Sequence, residues 1–168
     1  MATTNNDAIY TKLDNLFQTI DGLTSNSTTE ELEAFGAFFS ENCTTYLQSM
    51  REFDEPSIGR QATINALRNG LKQQHVVERR ILSLAIATDG LTAFSEMRNR
   101  LHVLGQTLDP FFETAVVVFN NEGFITEFKL YSCRSHIVEI VQEQTGKGPY
   151  AEVPATRGRL DGKASCCQ

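Results

Sequence analysis

Two periods of apolar residues divide the chain. In its first part apolar side chains recur every three to four residues, which is helical spacing. Residues 7–21, DAIYTKLDNLFQTID, place Ile9, Leu13, Leu16, Phe17 and Ile20 on one stripe. GLTSNSTT breaks that stripe. TTEELEAFGAFF then has a Thr cap and an acidic first turn, which predicts a second helix. SENCTTYLQSM reads as a short strand, REFDEPSIGR as a loop, and RQATINALRNGLKQQ as a third helix carrying Ile64, Leu67 and Leu71.

From His75 the period falls to two. HVVERRILSLAIA and LTAFSEMRNRLHVL alternate on either side of Asp89-Gly90, a strong hairpin signal because both turn residues favour positive φ. FFETAVVVF and FITEFKLYSC form a second hairpin across NNEG, and SHIVEIVQEQTG predicts a closing helix. Helices segregated beside an antiparallel sheet make an α+β domain over residues 1–146. The expected shape is a cone: a curved antiparallel sheet with helices packed on its concave face and a cavity inside. Residues 147–168 lack periodicity and are rich in Gly, Pro, Ala and charge, so they read as a flexible tail.

A two-residue turn at Asp89-Gly90 fixes an expected register. It opposes Leu84 to Ser95, Arg80 to Asn99 and Glu78 to Leu101. Glu78, Arg80, Met97, Asn99 and Leu101 then share a face that is apolar near the turn and polar at the far end, as a cavity with convergent polar groups would be. Arg79, Glu96, Arg98, Arg100 and His102 fall on the other face. In the second hairpin Glu113 lines up with Phe128, Leu130 and Ser132, the one ionisable residue on an apolar wall. Burial there would raise its pKa and suit it to proton transfer. At the start of its strand it could instead reach solvent.

The remaining composition narrows the chemistry. The 168 residues carry 15 basic and 21 acidic side chains, a net charge of −6, which argues against a nucleic-acid surface. No apolar run approaches the roughly 20 residues of a membrane span, and the N-terminus has no basic-then-apolar signal. A cytoplasmic protein is therefore expected. Cys43, Cys133, Cys166 and Cys167 match no zinc spacing, the histidines are scattered, and neither a nucleophilic triad order nor a glycine-rich phosphate loop is present. No metal and no cofactor are expected.

The element order, with SENCTTYLQSM, the Pro-Ser-Ile-Gly-Arg loop, INALRNGL and the two hairpins, resembles the nuclear transport factor 2-like superfamily, in its SnoaL-like and scytalone dehydratase-like branch. The texture is similar to fungal isomerases and cyclases of polyketide and terpenoid pathways. The resemblance implies cofactor-free acid–base chemistry on a small hydrophobic substrate, and a homodimer through the outer sheet face with Phe94, Val116 and Tyr131 among its contacts. Against scytalone dehydratase, Tyr46 stands where that enzyme has a tyrosine. Glu78 and Leu101 occupy its two histidine positions, and Glu113 or Thr114 its asparagine position. The expected catalytic set is Glu78, Glu113, Tyr46 and Asn99, with Arg80, Met97, Leu101, Phe128 and Ser132 around the substrate. The reaction would be isomerisation, cyclisation or dehydration. A non-catalytic cone that binds a ligand or a protein is the alternative, since one fold serves many functions.

Overall fold

The computed structural model describes residues 3–48 and 55–148, with side chains from Asp7. The apolar stripe at the N-terminus forms helix α1, Thr3–Asp21, which buries Ile9, Leu13, Leu16 and Phe17. Helix α2, Thr29–Gly36, starts at a capping box. Thr28 Oγ1 accepts from Glu31 N–H, and the Glu31 carboxylate accepts from Thr28 N–H. Strand β1 is Phe39–Tyr46, and the two-residue strand β2, Ser57–Ile58, pairs with it where a loop was expected. Helix α3, Arg60–Leu71, follows.

Four long strands complete the sheet: β3 (Gln74–Ile86), β4 (Thr92–Val103), β5 (Gln106–Phe119) and β6 (Ile125–Ser132). The order is β2-β1-β6-β5-β4-β3, with β1 parallel to β6 and every other pair antiparallel. The last helix, α4 (Ser135–Thr145), packs Ile137 and Ile140 against Leu101, Val103 and Phe111. This is the α+β cone expected from the sequence. The main core lies between α1, α2, α3 and the sheet and includes Leu16, Phe35, Phe39, Ile64 and Phe128. Of the tail expected from residue 147, everything beyond 148 lies outside the described residues. No described helix is long and apolar enough to cross a membrane.

The β3–β4 register starts as the turn dictates, with Ile86 opposite Ala93 and Leu84 opposite Ser95. It then shifts twice. Ser83 faces Glu96 but Ile81 faces Met97, so Leu82 is an extra residue. Glu78 faces Arg100 but Val76 faces Leu101, so Val77 is another. Each bulge inverts the alternation beyond it. Between them Arg79 and Ile81 turn to the concave face, opposite Asn99 and Met97, and Glu78 and Arg80 turn outward. Both extra residues are apolar and exposed.

Helix α2 meets α3 closely at Gly36, where an added Cβ would overlap Ile64 Cδ1, itself fully buried. Gly36→Ala should therefore cost about 1–3 kcal/mol despite the better helix propensity of alanine. Urea unfolding against wild type checks this.

Candidate functional site

A part-open cavity lies between the helices and the concave face of the sheet. Phe17, Phe35, Leu67, Leu101, Phe111 and Phe128 supply much of its apolar wall. Its volume is about 100 Å³, room for several waters. Its polar groups are Glu113 on the sheet, Arg79, His75 and Gln74 on β3, Gln73 just before β3, Arg134 after β6, and Gln48 after β1.

Glu113 sits here because the second hairpin holds its register at this end. Glu113 opposes Ser132, Ala115 opposes Leu130 and Val117 opposes Phe128. The residue keeps partial exposure, through the cavity it lines. Burial pushes its carboxyl above the ordinary range, and the charges of Arg79 and Arg134 and the hydrogen bond from Asn99 offset only part of that. Asn99 is fully buried, its Nδ2 3.3 Å from Glu113 Oε2 and its Oδ1 without a hydrogen-bond partner.

Arg79 was expected on the outer face and is instead a major feature of the inner one. Its Nε lies 2.9 and 3.2 Å from the two Asp21 carboxylate oxygens, and its Nη2 2.8 Å from Asp21 Oδ1. Nη1 points at Met97 Sδ, 3.0 Å away, and the guanidinium carbon stands 4.8 Å from the centre of the Phe17 ring. His75 lines the cavity and faces His102 across the strands, with ring centres 5.1 Å apart. Burial, then the neighbouring His102, lowers its pKa. Among the described residues, no group of three or more His, Cys, Asp and Glu is placed to hold a metal ion.

The expected site residues separate as follows. Glu113, Leu101 and Phe128 line the cavity, and Asn99 stands directly behind Glu113. Met97 is fully buried beneath the wall, as the acceptor for Arg79, and Ser132 flanks Glu113 in the register. Glu78 and Arg80 are corrected to the outer face, because the Leu82 bulge reverses that stretch of β3. There Glu78 pairs with Arg80 at 2.7 Å and with Arg100. Tyr46 is also outward, opposite Lys129, whereas Thr45 opposes Phe128 and points in. The inward Thr45 hydroxyl is satisfied by Thr63 at 3.0 Å, in a buried cluster that includes Cys43. The cavity thus holds one of the two expected glutamates.

The fold is similar to that of two solved structures. One is a protein assigned as a polyketide cyclase from Xanthomonas campestris pv. campestris, with TM-score 0.60, 14% identity, and coverage of 79% of this chain and 95% of the other. The second is an epoxide hydrolase/cyclase-like enzyme of pyran ring formation in the polyether salinomycin, with TM-score 0.58, 14% identity and the same coverages. No family model and no curated protein matches the chain. The likeness shows that the chain shares the α+β cone fold of these two proteins.

Proposed function

We propose that the chain is a cofactor-independent isomerase or cyclase that moves a proton α to a carbonyl in a polyketide- or terpenoid-like substrate. The observation that carries this reading is Glu113, a carboxyl with a raised pKa on an apolar cavity wall, braced by the buried Asn99 amide. A carboxyl raised toward neutrality is a competent base when ionised and a competent acid when protonated. The Glu113 carboxylate breaks the C–H bond and takes the proton, leaving an enolate. The same carboxyl then returns the proton to another carbon, or to an oxygen released by ring closure. One carboxyl suffices for this shuttle, so the outward Glu78 is not required. His75 and Gln74 line the same cavity, and N–H donors of these two side chains can hold the substrate oxygen. Two solved structures of the same fold, one assigned as a polyketide cyclase and one epoxide hydrolase/cyclase-like, support the choice of reaction class.

The test is α-proton exchange in heavy water, followed by NMR, with β-tetralone as a bicyclic ketone and acetylacetone as an open-chain one. Saturable exchange above the buffer rate is the expected result. Exchange no faster than in buffer for both ketones would overturn the reading.

The outer sheet face bears on the active form. Phe94, Phe112 and Tyr131 are exposed there, each at 43% or more, beside a belt of ion pairs such as Arg98–Asp109 at 2.8 Å. Apolar area of this kind favours association. The chain should sediment as a homodimer at micromolar concentration, and Phe94→Asp should sediment as a monomer. A wild-type monomer would refute it.

A further inference from the structure

We infer that Asp21 and Arg79 act as a positioning pair for Glu113: Asp21 clamps the guanidinium against the end of α1, so that a positive charge stands beside Glu113 without closing on it as an ion pair. This rests on the reading of Glu113 as the proton-transfer group.

Three observations carry the inference. First, Asp21 is the last residue of α1, a helix with no basic residue in its last turn. A carboxylate at a helix C-terminus opposes the helix dipole, so its position calls for another partner. That partner is Arg79, 58 residues away in sequence, held by both Nε and Nη2. Second, the guanidinium is fixed on every side. Asp21 takes one edge, Met97 Sδ another, and the Phe17 ring its face. The Arg79 side chain is only 6% exposed. Third, Arg79 lines the same cavity as Glu113, yet its ion pair runs to Asp21. A guanidinium free to rotate would pair with the nearest carboxylate in a bidentate fork. That would fix Glu113 as a permanent carboxylate and remove it from proton exchange.

The groups facing Glu113 come from every element around it. Arg79 and His75 come from β3, Asn99 from β4, Ser132 and then Arg134 from the end of β6, and Asp21 from α1. The cavity-lining residues of α3 bring no charge. Arg79 and Arg134 favour the ionised form of Glu113 and Asp21 disfavours it.

The experiment is a direct titration of the Glu113 carboxyl by NMR of isotope-labelled glutamate, in wild type, Arg79→Met, Asp21→Asn and the double variant. Glu113→Gln identifies the signal. Arg79→Met should move the midpoint up, because burial then acts against one fewer positive charge. Asp21→Asn should move it down, because the released guanidinium can turn to Glu113 and a nearby negative charge is gone. The double variant should follow Arg79→Met, showing that Asp21 acts chiefly through Arg79. Midpoints unchanged in both single variants, with only lower melting temperatures, would reduce the pair to a structural tie and overturn the inference. Should Arg79→Met fail to fold, the direction of the shift in Asp21→Asn decides alone. If Glu113→Gln keeps full proton exchange while the midpoints move as described, the positioning pair stands and the catalytic reading falls.

Discussion

Replacing Glu113 by glutamine should slow α-proton exchange by roughly 10²–10⁴-fold, and at neutral pH it should also make the protein more stable than wild type. Glutamine keeps the size and planarity of the side chain and can still meet the Asn99 amide, 3.3 Å from the carboxyl in the wild type. It cannot exchange a proton with substrate. The stability gain follows from the sign of the shift. Burial raises the folded-state pKa of Glu113, whereas the unfolded chain titrates near the ordinary value of about 4.3. Folding therefore favours the protonated carboxyl. That contribution is fully present below the ordinary value and is lost as pH rises through the raised folded value. Glutamine never ionises, so melting curves for variant and wild type should diverge as pH rises above about 4.3, with the variant on top. Parallel curves together with full exchange would show that Glu113 is an ordinary solvated carboxylate. Rate lost and stability gained by one substitution is the trade expected where a site holds a charge in poor surroundings.

How far the sequence reached depends on where its periods are interrupted. All four helices and both expected hairpins follow from spacing, caps and turn residues, because those signals are local. The β3–β4 register was legible near Asp89-Gly90, where the turn sets it, and illegible beyond Leu82. A bulge leaves no clear mark in alternation. Leu82 and Val77 are ordinary strand residues, and only the paired strand reveals that each is surplus. Glu78-Arg79-Arg80 is where this mattered, since adjacent arginines point to opposite faces and one slipped residue exchanges their roles. Met97, which accepts from Arg79, reads equally well as plain core. The turn from β4 to β5 was missed for a related reason. Leu104 adopts φ of 44° beside Gly105 at 90°, and a leucine gives no warning of positive φ. Local spacing therefore does not reveal that residues 106–110 extend the sheet. Tyr46 was placed by resemblance, and the register against β6 turns it outward. Glu113 and Asn99 were legible because β4 and β5 pair without a shift from Thr92 to Asn99, and because each is a large polar residue on a mostly apolar face.

Phe39→Ala should cost roughly 3–5 kcal/mol, and its effect should reach the cavity without touching any group that performs chemistry. Phe39 opens β1 and is fully buried. Its ring lies 4.9 Å from that of Phe35 on α2 and 6.1 Å from that of Phe128 on β6. Both neighbours are walls of the cavity, and Phe39 is not itself a lining residue. The ring thus fills the space behind two wall residues from different layers. Its removal leaves a void in a close-packed interior, and the simplest collapse moves Phe35 or Phe128 back from the cavity. The Phe39 carbonyl, which accepts from Arg60 Nε at 3.0 Å, survives the substitution, so the loss is one of packing alone. Against a typical stability of about 5–15 kcal/mol, this is a large share of the total. Phe94→Ala is the matched control: an aromatic on the outer face of the same sheet, 43% exposed. Measured under monomeric conditions, it should change stability by no more than about 0.5 kcal/mol. Urea unfolding of both variants separates the two positions. Equal and small losses would mean that Phe39 does not support the cavity wall, and that the wall is held from the helix side alone.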